Sequence, residues 1–399
     1  MGHVRSLPSE LLMRGVQDIV VRESFEAKLR SGKKLRIKHG VDPTTDRLHI
    51  GHGTIYWKLR QFQELGHVIV FLIGDFTARF GDPDKLVSRE MQSKDQTDAK
   101  AATYLDQIKG ILDLSKTEIR RNSEWYDKMS AEDLIRLVSN FSVAQLLERD
   151  MFVKRQKDGV EIGYHEPIYP VLQGYDSVML NSDLTVIGTD QFFNEMMARP
   201  LQERARQTSQ DIMTLSLLLG TDGRKMSKTF PNSIAILDTP EDKFGKVMRI
   251  PDELIGHYFE LATQVSNKEL AEITQSIKTG ELLPRDAKMR LARTIVAMYH
   301  GTAVASTAEE AFIRIFRDRA LPSEIVTSQL PNISYRLDDL LIALKFVSSR
   351  AAAQRSIGAG SVHIDEAVVT DWKIIVTLNQ SHIIQYGKRL FRRIEKVKN

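Results

Sequence analysis

The sequence predicts an α/β protein built on a parallel β-sheet, followed by a helical region and a small mixed unit. Residues 34–43, KLRIKHGVDP, alternate apolar and polar side chains before a proline, which is typical of a strand. Residues 67–75, HVIVFLIGD, form a continuous apolar run, as in a strand buried on both faces. Residues 51–66 between them have apolar side chains at helical spacing. Strand, helix and strand in this order make a βαβ unit.

The middle of the chain continues this pattern. Residues 96–180 are predicted to be mainly helical, and residues 184–188, LTVIG, are a further apolar strand that ends at a glycine. A helical pattern with two turn breaks covers residues 238–320. In parallel sheets ligands bind beyond the carboxyl ends of the strands, so the loops that follow these strands are the expected location of a site.

The end of the chain predicts a separate small unit. Residues 321–335 are polar, contain two prolines and are typical of a linker. Residues 336–399 predict two short helices and then strands at 361–369 and 382–394. The final residues, YGKRLFRRIEKVKN, are densely basic, which suits either a polyanionic partner or a solvated terminus.

Composition excludes several classes of protein. Apolar residues make up 42% and charged residues 27% of the 399 residues, as in ordinary soluble domains. Cysteine is absent, which excludes disulfides, thiolate metal sites and a thiol nucleophile. The first ten residues lack the apolar stretch of a secretory signal, and no apolar run reaches the roughly 18 residues of a membrane span. A cytoplasmic protein is expected, and the net charge of +4 weakly favours a polyanionic partner.

Two basic clusters suit phosphate chemistry. His49 and His52 are three residues apart at a predicted helix start, where free backbone N–H groups bind phosphate. Lys225 and Lys228 bracket Met226 and Ser227 in GRKMSKTF, and two lysines on a mobile loop can follow charge that develops on pyrophosphate. The alternatives are a turn with solvated histidines and an ordinary basic surface loop.

Two polar clusters suit a small zwitterion and a ribose. Tyr169, Gln173 and Asp176 follow one another at i, i+4 and i+7, so they lie on one face of a predicted helix. Asp190 and Gln191 follow the strand at 184–188. The stripe could also be a solvated face, and the second cluster could be a plain turn.

Five motifs in order resemble the class I aminoacyl-tRNA synthetases and, among them, the bacterial tyrosyl-tRNA synthetases. HIGH and KMSKT resemble the two signature motifs of the class. HIGH ends the longer matching stretch DPTTDRLHIGH, and the other three matching stretches are GDFTARFGDP, YPVLQGYDS and GTDQFFN. The segment after Arg336 is similar to the small ribosomal-protein-like RNA-binding module that ends these enzymes. The resemblance therefore implies a tyrosine–tRNA ligase that acts on L-tyrosine, ATP and tRNA(Tyr).

The resemblance also implies a domain plan. It implies a Rossmann-like catalytic domain at 1–235 with a helical insertion at about 96–180, within which residues 125–165 would form a homodimer contact. An α-helical anticodon-side domain would follow at 236–320. After the linker, residues 336–399 would be the α+β RNA-binding module.

The residue roles implied by the resemblance fall into three sets. Those expected to act on the phosphates are His49, His52, Lys85, Arg89, Lys225, Ser227 and Lys228. Those expected to bind ATP or the adenylate are Asp42, Gly51, Gly188, Asp190, Gln191 and Lys228. Those expected to bind tyrosine are Lys38, Asp82, Tyr169, Gln173, Asp176 and Gln191. Asp176 would accept a hydrogen bond from the phenol hydroxyl, and Mg²⁺ would arrive with ATP without a dedicated protein site.

The chain departs from the common family pattern at several positions. Lys38 stands where many relatives have a tyrosine that helps to recognise the phenol, and His39 stands where they have a cysteine. The loop with Lys85 and Arg89 is one residue shorter, and Ile187 replaces a second glycine. Two alternatives remain open: an enzyme that activates another aromatic amino acid, and an RNA-binding protein that has lost the reaction.

Overall fold

The structure is a computed structural model, and its described residues divide into two compact units with the boundary between Ala305 and Ser306. The described residues are 13–43, 47–82, 93–226, 231–316, 325–331, 333–387 and 390–396. Four predicted site residues lie outside them: Lys85, Arg89, Ser227 and Lys228. No helix in the described ranges is long and apolar enough to cross a membrane.

The parallel sheet predicted for the first unit is confirmed. Its strands are β1 (Val16–Val20), β2 (Arg36–Val41), β3 (Val68–Ile73), β4 (Thr117–Arg121), β5 (Leu184–Gly188) and β6 (Asp211–Leu215). Over the described residues, the order is β1-β6-β5-β2-β3-β4. All neighbours pair in parallel except β1, which is antiparallel to β6.

Helices cover both faces of this sheet. Those that precede β6 are α1 (Arg22–Arg30), α2 (Ile50–Glu64), α3 (Thr77–Phe80), α4 (Lys94–Ile108), α5 (Ser123–Tyr126), α6 (Ala131–Val138), α7 (Val143–Leu146), α8 (Asp150–Lys157), α9 (Tyr169–Leu180), α10 (Phe192–Met196) and α11 (Ala198–Arg204). Ile69 and Phe71 of β3 pack in one apolar cluster with Leu59 of α2. Val70 and Leu72 point the other way into a second cluster with residues of α9. The unbroken apolar run of β3 follows from this burial on both faces.

One strand was not expected where it occurs. Residues 96–180 are mainly helical, as predicted, but they also contribute β4, whose sequence TEIRR has no apolar run. β4 tolerates charged side chains because it lies at the edge of the sheet, where Glu118 pairs with Arg36 of β2 at 2.7 Å. Edge strands are half exposed, so hydrophobicity alone does not reveal them.

A run of helices follows the sheet, as the sequence predicts. They are α12 (Pro240–Val247), α13 (Ile255–Ala262), α14 (Asn267–Thr279), α15 (Pro284–His300) and α16 (Thr302–Phe316), within which the boundary between the two units falls. Tyr299 of α15 packs closely against Gly53 near the start of α2. A Cβ on Gly53 would lie 2.2 Å from the hydroxyl oxygen of Tyr299. The glycine therefore permits the close approach of these two helices.

The second unit is a small α+β domain with its own core. Its elements are β7 (Thr327–Leu330), β8 (Ser334–Arg336), α17 (Leu337–Ala343), α18 (Arg350–Gly358), β9 (Val362–Ile364), β10 (Ala367–Val369), β11 (Ile375–Thr377), β12 (His382–Tyr386) and β13 (Leu390–Lys396). Among the described residues, the strand order is β10-β9-β12-β13-β7, with β11 and β8 as a separate pair. Each of the two strands predicted in this unit is a hairpin of two strands, β9–β10 and β12–β13. The first hairpin turns at Asp365 and Glu366, which both have positive φ, as type I′ turns require.

The predicted linker is wrong in part. Within 321–335, β7 pairs in parallel with β13, and β8 pairs with β11. Leu330 is buried in the core of the second unit. The segment is polar because β7 is an edge strand that buries little besides this leucine.

Candidate functional site

The two histidines of the first motif lie at the start of α2. His49 is the N-cap residue, and its backbone N–H donates to Nδ1 of His52 at 3.2 Å. The ring centroids are 3.8 Å apart. Gly51 is needed between them, because a Cβ there would lie 2.9 Å from Nδ1 of His49. Two imidazoles therefore stand side by side where the positive end of the helix dipole favours an anion.

The described part of the second motif lies beside the first. The backbone of His49 forms an antiparallel bridge with Ala235, and Ile50 N–H donates to the carbonyl of Ile234 at 2.9 Å. Met226 lies 3.7 Å from the position of a Cβ on Gly51. The two motifs are about 175 residues apart in sequence, yet this short pairing fixes the segment after residues 227–230 against the helix start.

Lys225 and Asp190 form an ion pair of 3.0 Å. Asp190 lies in a 3₁₀ turn, Thr189–Gln191, directly after β5. A Cβ on Gly188 would lie 2.7 Å from Oδ1 of Asp190, so the glycine allows this carboxylate to fold back over the end of the strand. The structure thus joins a residue predicted for pyrophosphate to one predicted for ribose.

Asp42 links the ends of β2 and β3 to α9. Its two carboxylate oxygens accept hydrogen bonds from Thr77 at 2.8 Å and from the hydroxyl of Tyr169 at 2.9 Å. Gly74 makes this possible, because a Cβ there would lie 2.1 Å from Oδ1 of Asp42. The hydroxyl of Tyr169 is a donor to a carboxylate, and burial raises the pKa of this phenol well above its ordinary value.

Asp82 is held between an arginine and an amide. Oδ1 accepts from Arg149 at 2.9 Å, and Oδ2 accepts from Nε2 of Gln191 at 2.8 Å. Sequence reasoning did not predict Arg149, which sits at the start of α8 and is largely buried. No motif indicates it, because only the fold brings residues 82 and 149 together.

Gln173 belongs to a buried hydrogen-bonded network that the sequence did not predict. Its Oε1 accepts from Asn194 at 2.9 Å, and its Nε2 donates to Glu195 at 2.8 Å. Asn194 also donates to Oε1 of Gln191 at 3.1 Å. The network therefore connects Gln173 and Gln191, two residues that were predicted independently.

Lys38, predicted to bind tyrosine, is engaged within the protein. Its ammonium pairs with Glu195 at 2.9 Å and donates to Ser177 at 2.7 Å and to the carbonyl of Gln173 at 3.3 Å. Both side chains of the ion pair are 1% exposed. An ammonium has three donors, so these three acceptors account for all of them, and a direct hydrogen bond to the substrate is not available.

Asp176 lies deeper along the same face of α9. It accepts from the indole N–H of Trp125 at 3.1 Å and from Nδ2 of Asn122 at 3.4 Å. Burial raises the pKa of its carboxyl to about 7, and nearby Lys38, Asn122, Tyr126 and Trp125 limit the increase. The predicted stripe lies on one face of α9, where Tyr169 and Asp176 are buried, at most 6% exposed, and Gln173 is half-buried.

His39 of β2 is buried, and its ring contacts the backbone of the neighbouring strand β5. Its Nδ1 lies 2.9 Å from the carbonyl of Val186, so this nitrogen carries the proton. Burial lowers the pKa of the ring to about 4. The imidazole is therefore neutral at pH 7 and acts as a hydrogen-bonded core residue.

The charges of the site favour a cation at one end. The stripe on α9 and the groups bonded around it, as described above, include four carboxylates and two basic groups: Asp42, Asp82, Asp176, Glu195, Lys38 and Arg149. Acidic groups in excess favour an ammonium. Among the described residues, no three or more His, Asp or Glu side chains come together in a group that could hold a metal ion.

Family models match most of the chain. Residues 30–317 match the model described as tRNA synthetases class I (W and Y), and residues 336–381 match the S4 domain. These two matches fall on the α/β and helical part and on the small C-terminal domain, respectively.

Curated relatives match nearly the full length. A protein of Thermotoga maritima named tyrosine–tRNA ligase is 41% identical over 387 residues, which cover 96% of each chain. A protein of the same name from Moorella thermoacetica is 43% identical over 390 residues, covering 96% of this chain and 94% of the relative.

Solved structures share the fold. A truncated mitochondrial tyrosyl-tRNA synthetase of Aspergillus nidulans has a TM-score of 0.65 at 22% identity and covers 77% of this chain and 93% of its own. The tyrosyl-tRNA synthetase of Archaeoglobus fulgidus, solved with L-tyrosine, has a TM-score of 0.62 at 22% identity and covers 75% and 98%.

Proposed function

We propose roles for the individual site residues from the premise that this chain belongs to the class I tRNA synthetases of the tryptophan and tyrosine family. Its activity is that of a tyrosine–tRNA ligase: it activates L-tyrosine with ATP, releases pyrophosphate and transfers the tyrosyl group to tRNA. The observation that carries the choice of tyrosine is Asp176, a buried carboxylate at the inner end of a polar stripe. Two helical turns, about 10 Å along the axis, separate it from Tyr169.

The tyrosine ammonium is bound at the outer end of the stripe. Asp82, Tyr169, Gln173 and Gln191 supply one carboxylate and three polar groups there, and hydrogen bonds already hold each of them. The phenol hydroxyl donates to Asp176. A site whose buried acceptor must be paired rejects an analogue that lacks the hydroxyl by about 10⁴–10⁵-fold.

The nucleotide lies across the start of α2. His49 and His52 donate to the phosphates, Gly51 permits the close approach of the backbone, and Asp190 binds the ribose beside Gly188. Lys225 leaves Asp190 to follow the pyrophosphate together with Lys228 and Ser227. Asp42 and Gln191 border the adenylate, and Lys85 and Arg89, which follow Asp82 in the sequence, act on the pyrophosphate.

Adenylation needs no nucleophile from the protein. The substrate carboxylate attacks the α-phosphorus of ATP in line with the departing pyrophosphate, so the enzyme contributes position and charge stabilisation. The imidazoles and lysines stabilise the negative charge that develops on the phosphates. In comparable oxyanion sites each such donor lowers the activation free energy by about 3–4 kcal/mol. Mg²⁺ bound together with ATP would supply further neutralisation of the phosphate charge, and the lysines and imidazoles of the chain would act beside it.

The working form is a homodimer that charges tRNA(Tyr) in the cytoplasm, where translation uses it. Residues 125–165 supply the contact between subunits, which is supported by large apolar side chains exposed to solvent there. They are Ile135, Val143, Val153, Val160 and Tyr164. The S4 domain binds the polyanionic tRNA, in keeping with its family and its basic C-terminal strand.

The test is amino-acid-dependent exchange between ATP and pyrophosphate with tyrosine, phenylalanine and tryptophan in parallel. Exchange with tyrosine alone is expected. Exchange with another aromatic amino acid would mean that Lys38 and its neighbours have remade the specificity, and no exchange with any would favour an RNA-binding protein.

A further inference from the structure

The buried ion pair between Lys38 of β2 and Glu195 of α10 has no role in the chemistry described so far. It is 2.9 Å long and 1% exposed at both ends. Burying two charges is unfavourable unless their remaining hydrogen-bonding groups are satisfied. Lys38 and Glu195 meet that condition in part through Gln173 of the proposed tyrosine site: Lys38 donates to its carbonyl, and Glu195 accepts from its amide.

Glu195 is surrounded by donors. Oε1 accepts from Lys38 and from Nε2 of Gln173, and Oε2 accepts from Nε2 of Gln210 at 2.9 Å. A carboxylate paired with an ammonium can only accept hydrogen bonds. The amide of Gln173 must therefore turn its NH₂ group toward Glu195.

This constraint fixes the other end of the same amide. With Nε2 committed to Glu195, Oε1 of Gln173 faces Asn194, whose NH₂ group reaches it at 2.9 Å and also contacts Gln191. An amide oxygen has two lone pairs, so one remains for a further donor. A flipped amide would instead present an NH₂ group, which repels an ammonium.

We propose that Lys38 and Glu195 are positioning residues that fix the amide orientation of Gln173, so that its oxygen accepts a hydrogen bond from the ammonium of the amino-acid substrate. Lys38 keeps Glu195 an acceptor, Glu195 orients Gln173, and Gln173 contacts the substrate. The inference rests on the tyrosine site proposed above and deepens it. It also gives Lys38 a role other than direct contact with the phenol.

The decisive variant is Glu195→Gln, which keeps the shape of the side chain but adds a donor. The Gln173 amide can then adopt either orientation. Binding of tyramine is compared with binding of 4-ethylphenol, which differs from tyramine only by the ammonium group. Both are measured as competitive inhibitors of tyrosine-dependent exchange in the full-length protein.

Glu195→Gln is expected to weaken tyramine about tenfold or more, the usual value of a hydrogen bond to a charged group, and to change 4-ethylphenol less than about twofold. An equal loss for both ligands, or no loss for tyramine, would overturn the proposal. Wild-type protein that shows no exchange with tyrosine would instead overturn the proposed function, and the inference with it.

A double-mutant cycle tests whether Glu195 acts through Gln173. The variant Gln173→Ala/Glu195→Gln should bind tyramine no more weakly than Gln173→Ala alone, whereas additive losses would contradict the proposal. If Glu195→Gln does not fold, Lys38→Met/Glu195→Leu removes both charges together and leaves neither unpaired. That variant is expected to lose affinity for tyramine but not for 4-ethylphenol. If the variant bound tyramine as tightly as wild type does, the proposal would be overturned.

Discussion

At the scale of single residues, the site depends on carboxylates that the protein has already oriented. Asp42 is held by Thr77 and Tyr169, and Asp82 is held by Arg149 and Gln191. Such partners restrict rotation before the substrate arrives, so less conformational entropy is lost on binding. Their arrangement also keeps negative charge at the ammonium end of the stripe.

The raised pKa of Asp176 predicts a pH-dependent stability. Its folded-state pKa of about 7 lies above the ordinary value of 3.8, so the folded protein binds this proton more tightly than the unfolded chain. Asp176 therefore contributes stability that is fully present below about pH 4 and is lost as pH rises to about 7. Asp176→Asn lacks this dependence, so its stability relative to wild type should rise by up to about 4 kcal/mol over that range. Urea unfolding of both proteins at a series of pH values, without tyrosine, measures this difference. A difference in the free energy of unfolding that does not change with pH would contradict the prediction.

His49→Ala tests the proposed role of His49 in catalysis. The variant is expected to reduce kcat for exchange about 10²–10³-fold, because it removes one donor to the developing phosphate charge. The backbone N–H that donates to His52 remains in this variant, so the free energy of unfolding is expected to change by less than about 1 kcal/mol. The matched control is Ser266→Ala, which removes the N-cap of α14 away from the site and should lose stability without losing activity. Equal kcat in the two variants would exclude the proposed role of His49.

At the scale of elements, the chain order of the strands and motifs was predictable from the sequence, and part of the site was not. The apolar runs of β3 and β5 and the stripe on α9 each carry a local periodicity, and the structure has these elements where they were predicted. The sequences of β4 and β7 carry no such pattern, because edge strands bury few side chains. Glu195 was missed for a different reason: its charge is matched by Lys38, which is 157 residues away in sequence and is brought near by the parallel pairing of β2 and β5.

The close contact of α9 with α11 gives a prediction at this scale. A Cβ on Gly174 would lie 2.8 Å from the backbone N of Ala198 and the backbone carbon of Met197, so side-chain rotation cannot relieve the clash. Gly174→Ala is expected to destabilise the protein by about 1–3 kcal/mol and to raise KM for tyrosine, because Gln173 moves with the helix. Gly256→Ala in α13 is the control, since its Cβ meets nothing within 4 Å. Thermal unfolding and exchange kinetics compare the two, and equal behaviour would contradict the account.

At the scale of the whole molecule, synthesis of the adenylate and binding of tRNA are assigned to different parts of the chain. Every described site residue belongs to the first unit, whereas the S4 domain lies in the second, which has its own apolar core. When a separate small domain binds tRNA, it adds affinity for tRNA without altering the pocket for the amino acid.

The proposed dimer is tested by charged substitutions in the helical insertion. Tyr164 and Ile135 are 86% and 65% exposed, so an aspartate at either position should fold normally but place a charge in the apolar contact. Sedimentation is expected to show a dimer for wild type and a shift to monomer for Ile135→Asp/Tyr164→Asp. Leu283→Asp, at a residue of similar exposure outside the insertion, should stay dimeric. A monomeric wild type, or a variant that remains fully dimeric, would exclude this contact.

The most direct test of the central claim is the ratio of kcat/KM for tyrosine to kcat/KM for phenylalanine, in exchange by wild type and Asp176→Asn. Wild type is expected to prefer tyrosine by about 10⁴-fold or more, and the variant should lose at least about a hundredfold of this preference. The loss should appear in the rate with tyrosine while the rate with phenylalanine holds or rises. An unchanged ratio would mean that Asp176 does not read the phenol hydroxyl.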